Sequence, residues 1–457
     1  MITSYDYWLK KNYYYHNHLA KSYQFIISQQ TQVLQVGCKT GYLLASVNSS
    51  FGVGVDAEKD CIQKAQAKYP ALYFYQSLNK IPKEQFDYII LSSITHEVDD
   101  IQDFLNSLQP YCHNKTRIII DSYSFFWEPI LRLTQKLKLR RQTPLKNWIS
   151  HQDLQHFLSL AGFEVVKTER SMLMPCYIPF LSWLFNKVIA PLPIINRICL
   201  IEWIIARPKQ QKKNPKDFSV SIIIPCKNER GNIEAAVKRC PQMGKSTEII
   251  FVEGNSQDDT ANEIQRIITA YPEKNIKFFE QDGKGKGNAV RIGFDKANGD
   301  ILMIQDADLT APPEELTKFF NALCNGDGEF INGSRLIYGM ESEAMRFLNM
   351  IANHCFALSF SWLLGQRVKD TLCGTKVLFK EDYQKIVKNR AFFGEFDPFG
   401  DFDLLFGAAK QNLKIIDMPV HYKARTYGST QIRRFYHGLL LLKMTFIGLK
   451  KFKFQRF

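Results

Sequence analysis

Residues 299–316 read GDILMIQDADLTAPPEEL. The apolar run Ile301–Ile304 predicts a buried strand, and two carboxylates, Asp306 and Asp308, follow at its end. Thr310 is placed to cap a helix. Pro312 and Pro313 would lie in its first turn, and Glu314 and Glu315 would face the positive end of its dipole. The pair is therefore expected in a strand-to-helix turn. Two carboxylates one residue apart repel each other, and a divalent cation relieves the repulsion. Hard oxygen donors suit Mg²⁺ or Mn²⁺, which can bridge a diphosphate.

Three more polar segments follow apolar runs nearby. VSIIIP at 220–225 leads into Cys226-Lys227-Asn228-Glu229, EIIFVE at 248–253 into Gly254-Asn255-Ser256, and IKFFEQ at 276–281 into GKGKGNAVR at 283–291. In an open α/β sheet, ligands bind outside the carboxyl ends of the strands, so all four segments are expected at one edge. The first half of the chain alternates in the same way, with strands predicted at 33–36, 52–55, 88–93 and 117–122. The polar stretch RPKQQKKNPKD divides the halves. The expected organisation is a domain at 1–206, a linker at 207–217, a domain at 218–430 and a basic amphipathic tail at 431–457, in the α/β class throughout.

In the first half, the strand at 33–36 runs into Gly37-Cys38-Lys39-Thr40-Gly41 before a helix opens. Glycines there let the backbone approach a ligand closely. Asp56 ends the next strand, where an acid can take both hydroxyls of a ribose.

These motifs carry two resemblances. VLQVGCKTGYLL, GVGVDAEKDCIQKA, FDYIILSSITHEVDD and HQDLQHFLSLAGFEVV make residues 1–206 resemble a class I S-adenosylmethionine-dependent methyltransferase with a Rossmann-like sheet. The resemblance implies a cofactor pocket at Gly37, Gly41 and Asp56. Gln35 stands where that family usually has an acid, and Lys39 replaces the middle glycine of its loop. Two readings follow: a methyl-transferring domain, or a non-catalytic scaffold or binding domain.

SIIIPCKNERGNI, DGKGKGNAVRIGF and the Asp-x-Asp region make residues 218–430 resemble a family 2 glycosyltransferase with the GT-A nucleotide-diphospho-sugar transferase fold. Within it, the likeness is to dolichyl- and polyprenyl-phosphate sugar synthases. The resemblance implies a metal at Asp306 and Asp308, and a nucleoside pocket at Pro225, Glu229 and Glu253. It places Lys284, Lys286, Arg291 and Arg425 near the donor. Asp370, Asp401 and Asp403 are the candidate acceptor-side carboxylates, one of them a general base if the acceptor is a hydroxyl. Asn332-Gly333-Ser334-Arg335 resembles the strand after the Asp-x-Asp, and Arg425, Tyr427, Gly428 and Ser429 the late R-x-x-G-S loop. The expected partners are a nucleotide-sugar donor and a lipid-phosphate or glycan acceptor.

The net charge of +14 is unevenly spread. Residues 418–457 hold nine Lys or Arg and no acid, leaving +5 for all the rest. This argues against a general nucleic-acid surface and for a membrane-facing tail. The apolar segment Gly438–Leu449 is too short to span a bilayer. It fits a helix lying in an anionic lipid surface, or one packing Leu439, Leu442 and Phe446 on the protein. The segment 171–206, apolar but broken by prolines, is expected either as a buried appendage or as a membrane-surface element. The N-terminal residues lack the apolar region of a secretory signal, and the ten scattered cysteines form no CxxC pair. Free thiols and a cytoplasmic location, peripheral on the membrane, are expected.

Overall fold

The computed structural model describes residues 5–82, 84–141, 147–338, 347–394, 400–428 and 434–454. The chain forms two compact units, Met1–Lys209 with Lys451–Phe457, and Gln210–Lys450. All ten cysteines are free.

The first unit is built on seven strands: β1 (Gln32–Val36), β2 (Phe51–Val55), β3 (Tyr73–Tyr75), β4 (Phe86–Ser92), β5 (Cys112–Tyr123), β6 (Phe163–Ser171) and β7 (Ile201–Pro208). Their order is β3-β2-β1-β4-β5-β7-β6. β7 runs antiparallel to both β5 and β6, and the other pairings are parallel. The central strands are apolar on both faces because each face is covered. Val33, Tyr88, Ile90, Ile119 and Trp203 pack on one side, and Leu34, Ile89, Ile118, Ile120 and Ile204 on the other. The order reverses between β1 and β4, and this opens a crevice at their carboxyl ends. Arg207 and Pro208, expected in the linker, instead end β7. The Arg207 side chain is fully buried and pairs with Glu164 at 2.5 Å.

The second unit has strands β8 (Ser219–Cys226), β9 (Ser246–Glu253), β10 (Asn275–Glu280), β11 (Ile301–Ile304), β12 (Phe330–Ser334), β13 (Lys376–Phe379) and β14 (Ile415–Pro419). Their order is β10-β9-β8-β11-β13-β12-β14. β8 to β11 are mutually parallel, whereas β13 is antiparallel to β11 and β12. The order reverses between β8 and β11, so the segments after those two strands border one crevice. The core on one face comprises Ile222, Ile224, Phe251, Met303, Phe319 and Val377 with their neighbours.

Thr310 does not cap a helix. The chain turns through a short 3₁₀ segment, Pro313–Glu315, into the helix Leu316–Asn325, and the Thr310 hydroxyl donates instead to Asp308. The tail helix Arg434–Leu449 buries Leu441 and Met444 and sets Gly448 against Leu363 and Phe406. Leu439, Leu442 and Phe446, one of whose expected roles was to pack on the protein, are exposed. Among the described residues no helix is long and apolar enough to cross a membrane.

Candidate functional site

In the second unit the crevice between β8 and β11 collects charge. Asp306 leaves β11, and its Oδ1 lies 2.6 Å from Lys286 Nζ, at the first residue of the helix Lys286–Lys296. Burial would raise the Asp306 carboxyl, but the Lys286 ammonium outweighs it and holds it below its usual range. Burial likewise disfavours charge on Lys286, and Asp306 and Asp401 reverse that shift upward. Asp308 is held on two sides. Its Oδ1 accepts from the Thr310 N–H (3.2 Å) and hydroxyl (2.9 Å), and its Oδ2 lies 2.7 Å from Arg425 Nη2. The other end of the same guanidinium, Nη1, lies 2.8 Å from Glu229 Oε1. The second oxygen of Glu229 accepts from Asn232 at 2.6 Å, and burial raises its pKa against the pull of Arg425. One arginine from the loop after β14 therefore joins an acid after β8 to an acid after β11.

Gly374 explains how the loop before β13 comes so close. A Cβ there would overlap both the Asp306 carboxylate and the Lys286 ammonium, so a larger residue would displace that pair. Glu253, at the end of β9, accepts the backbone N–H groups of Asn255 (3.1 Å) and Ser256 (2.5 Å) and shapes its own loop. Pro225 sits half-buried at the end of β8, and Lys284 is exposed in the glycine-rich turn.

The three acceptor-side carboxylates are all engaged. Asp370 is fully buried. It accepts from Arg335 Nε (2.8 Å), Nη2 (3.0 Å) and N–H (3.1 Å), and from Asn353 (3.1 Å), Leu372 N–H (2.9 Å) and Cys373 N–H (3.1 Å). Burial alone would raise its pKa, yet Arg335 drives it far below the carboxylate range. Asp403 is clamped between Arg390 (2.7 Å) and Arg291 (3.3 Å), so Arg291 faces this carboxylate. Asp401 lies 3.2 Å from the fully buried Lys376. Sequence reading gave no role to Arg335, Lys376 or Gly374, although Arg335 stands in a motif it singled out. The missing signal was distance: Arg335 meets an acid 35 positions on. Tyr427 covers Gly231 and Gly428 borders Arg425, whereas Ser429 lies outside the described residues.

In the first unit, a cavity of about 1060 Å³ opens at the carboxyl ends of β1 and β4. Gln35, Gly37, Cys38, Lys39, Ser93 and Glu97 form its floor, and aromatic residues including Tyr5, Trp8 and Tyr123 its walls. Gly37 and Gly41 both adopt positive φ, as the loop requires, and so does Lys39 at +50°. Gly37 lines the cavity, but Gly41 and Asp56 do not. Asp56 is buried. Its oxygens accept the N–H groups of Lys39 (2.9 Å) and Glu58 (3.0 Å). The Lys39 ammonium lies between it and Glu97, 3.9 Å from Asp56 and 3.0 Å from Glu97. Burial disfavours the charge on Lys39, but the two acids outweigh it and raise its pKa. His96 is buried. Its ring lies 3.0 Å from the Asn147 carbonyl oxygen and accepts the Tyr123 N–H at 3.1 Å.

The two crevices, one in each half, differ in chemistry. Residues 221–392 match Glycosyl transferase family 2. Residues 12–168 match a Methyltransferase domain. The chain is 31% identical over 221 residues to a dolichol-phosphate mannosyltransferase of Pyrococcus furiosus, covering 47% of this chain and 60% of that one. It is 36% identical over 126 residues to a dolichol-phosphate mannosyltransferase of Saccharomyces cerevisiae, covering 26% and 46%. The chain thus spans about half the length of these relatives. Among solved structures, a glucosyl-3-phosphoglycerate synthase from Mycobacterium tuberculosis aligns with 51% of this chain and 80% of its own (16% identity, TM-score 0.38). An S-adenosylmethionine-dependent methyltransferase from Aquifex aeolicus aligns with 40% and 84% (17% identity, TM-score 0.28).

Proposed function

We propose that the glycosyltransferase region moves a sugar from a nucleotide diphosphate to a lipid phosphate. The observation that carries the choice of acceptor is the state of Asp370, Asp401 and Asp403. Each faces one or two cationic side chains, and Arg335 holds the Asp370 carboxyl far below the carboxylate range, which makes it a poor proton acceptor. A hydroxyl acceptor needs a general base, but a phosphate monoester is already an anionic nucleophile and needs none. We therefore assign these acids to positioning rather than to proton transfer. The relatives matched above are named for dolichol-phosphate transfer.

Asp306 and Asp308 fit a hard divalent ion, since both offer carboxylate oxygens at one strand end. Among the described residues no third acid, histidine or cysteine joins them, so phosphate oxygens of the donor would complete the shell. When bound, Mg²⁺ or Mn²⁺ would neutralise charge on the leaving diphosphate. Lys286 and Arg425, now paired with these acids, are placed to turn to the diphosphate, and Glu229 and Pro225 to border the nucleoside. The exposed stripe Leu439, Leu442 and Phe446 supports contact of the tail helix with the acceptor's membrane. The test offers a polyprenyl phosphate and the matching polyprenol with each nucleotide sugar, with Mg²⁺, Mn²⁺ or EDTA. Transfer to the phosphate alone is expected; equal transfer to the alcohol would overturn the assignment.

For the first unit, the pairing of Lys39 favours the non-catalytic reading. S-adenosylmethionine carries a sulfonium, and the loop expected to hold it presents the Lys39 ammonium, paired with Glu97, while Asp56 accepts backbone N–H groups and does not line the cavity. The residues as placed do not fit the cofactor, and no methyl-transfer step is assigned to them. Titration of the full chain with S-adenosylmethionine, followed by calorimetry, tests this, and saturable binding would restore the bifunctional reading.

A further inference from the structure

The first unit exposes many large apolar side chains. Single exposed apolar residues are ordinary, but contiguous ones mark interaction surfaces. Two segments carry them. In the first, 125–139, Phe126 is 70% exposed, Leu133 55% and Leu137 59%. In the second, 177–198, Phe180 is 72% exposed, Trp183 52% and Ile194 83%. The segments are neighbours, since the Trp127 indole N–H donates to the Ile198 carbonyl at 2.8 Å. We propose that this face of the first unit docks on an anionic lipid bilayer.

Charge selects the occupant. Residues 125–141 hold five Lys or Arg against one acid, and residues 171–199 hold two against none. Some of these cations are spent within the unit: Arg132 pairs with Glu128, and Arg141 with Glu58. Lys136, Lys138 and Arg197 are exposed and form no ion pair among the described residues. Unpaired cations beside Phe and Trp side chains match the layering of a bilayer surface, with phosphates outside and acyl chains within. A Trp ring, apolar in body and polar at its N–H, favours that boundary. The alternation arises locally, because the helix Glu128–Lys136 buries only Leu131 and turns Ile130 and Leu133 outward.

The same segments border the cavity. Ile130, Leu139 and Tyr177 both line it and stand exposed, so its mouth opens on the docking face. Docking would thus give the cavity access to amphiphiles from the bilayer. The proposal does not depend on methyl transfer, and it is distinct from the tail contact. In the last turn of the tail, burial pulls Lys453 down to about 8, and Phe452 is buried with its ring edge-on to Phe25.

The test uses the full chain with sedimentation onto phosphatidylglycerol/phosphatidylcholine vesicles. One variant combines Phe126→Ser, Phe180→Ser and Ile194→Ser, a second combines Lys136→Glu, Lys138→Glu and Arg197→Glu, and a third carries Leu439→Ser and Phe446→Ser in the tail. The charge variant is expected to lose well over tenfold in partitioning at low salt, since each surface cation contributes about fivefold. The apolar variant should lose partitioning at high salt as well. Circular dichroism and the melting temperature of both should match the wild type, because every changed residue is exposed. As an independent readout, brominated lipids should quench the wild type more than Trp183→Phe. Partitioning unchanged in both first-unit variants, or equal quenching with and without Trp183, would overturn the proposal. So would loss of a dimer with unchanged partitioning, which would assign the face to a second copy of the chain.

Discussion

Asp370→Asn separates an anchor from a general base. The wild-type carboxylate receives six hydrogen bonds with no exposure to water. An asparagine of the same shape removes the charge and turns an amide NH₂ toward donors it cannot accept from. Whichever way the amide lies, one side now sets N–H against N–H, and Arg335 is left as a buried, uncompensated cation. Breaking a buried ion pair from one side costs about 3–5 kcal/mol. In a unit of this size, each kcal/mol shifts the melting temperature by about 2–4 °C, so a fall of roughly 10 °C is expected. The acid limb gives a second readout. The native pKa of Asp370 lies below its unfolded value, so its contribution is fully present above about pH 4 and is lost as pH falls below that. Wild type should therefore destabilise on acidification more steeply than the variant. The assay is thermal melting from pH 3 to 7 alongside sugar transfer. A variant that melts like wild type but has lost transfer would refute the anchor assignment and make Asp370 a catalytic base.

Three further outcomes follow from the same contacts. Asp308→Asn should keep the fold, because the Thr310 contact and the Arg425–Glu229 pair survive, and should lower turnover about 10² or more, measured by sugar transfer with and without EDTA. Undiminished activity in EDTA would remove the metal from the site. Wild type should show no thermal shift with millimolar S-adenosylmethionine, whereas Lys39→Gly, which also relieves the positive φ, should show one; a shift in wild type contradicts the sealing of Asp56. His16 packs edge-on against Tyr5 and Tyr15, and burial pulls its pKa down to about 4. Its folded value lies below the unfolded one, so its contribution is present above about pH 6.5 and is lost as pH falls toward 4. His16→Gln should flatten that part of the stability profile in chemical denaturation.

The sequence by itself determined the fold class and the edge at which ligands gather. Apolar runs such as Ile301–Ile304 and Val33–Val36 identify buried parallel strands, because such strands are covered on both faces and need no polar alternation. In an open sheet whose order reverses, the loops after the central strands must share one crevice, so Asp306, Asp308 and Glu229 could be grouped before any distance was known. The strand β7 and its reversal were not legible, because strand direction is set by pairing rather than by composition. The tertiary structure alone decided the state of each charge. Asp56 follows the expected pattern yet is closed off by Lys39, a residue two positions from the glycines that suggested the pocket. Asp370, Asp401 and Asp403 look equivalent as acids in acceptor-side motifs, but Arg335, Lys376, Arg291 and Arg390 reach them from other elements and give each a different cationic partner. Periodicity records which side a residue faces, but a carboxylate's chemistry depends on the partner within about 4 Å, and the folded chain supplies that partner from dozens of residues away.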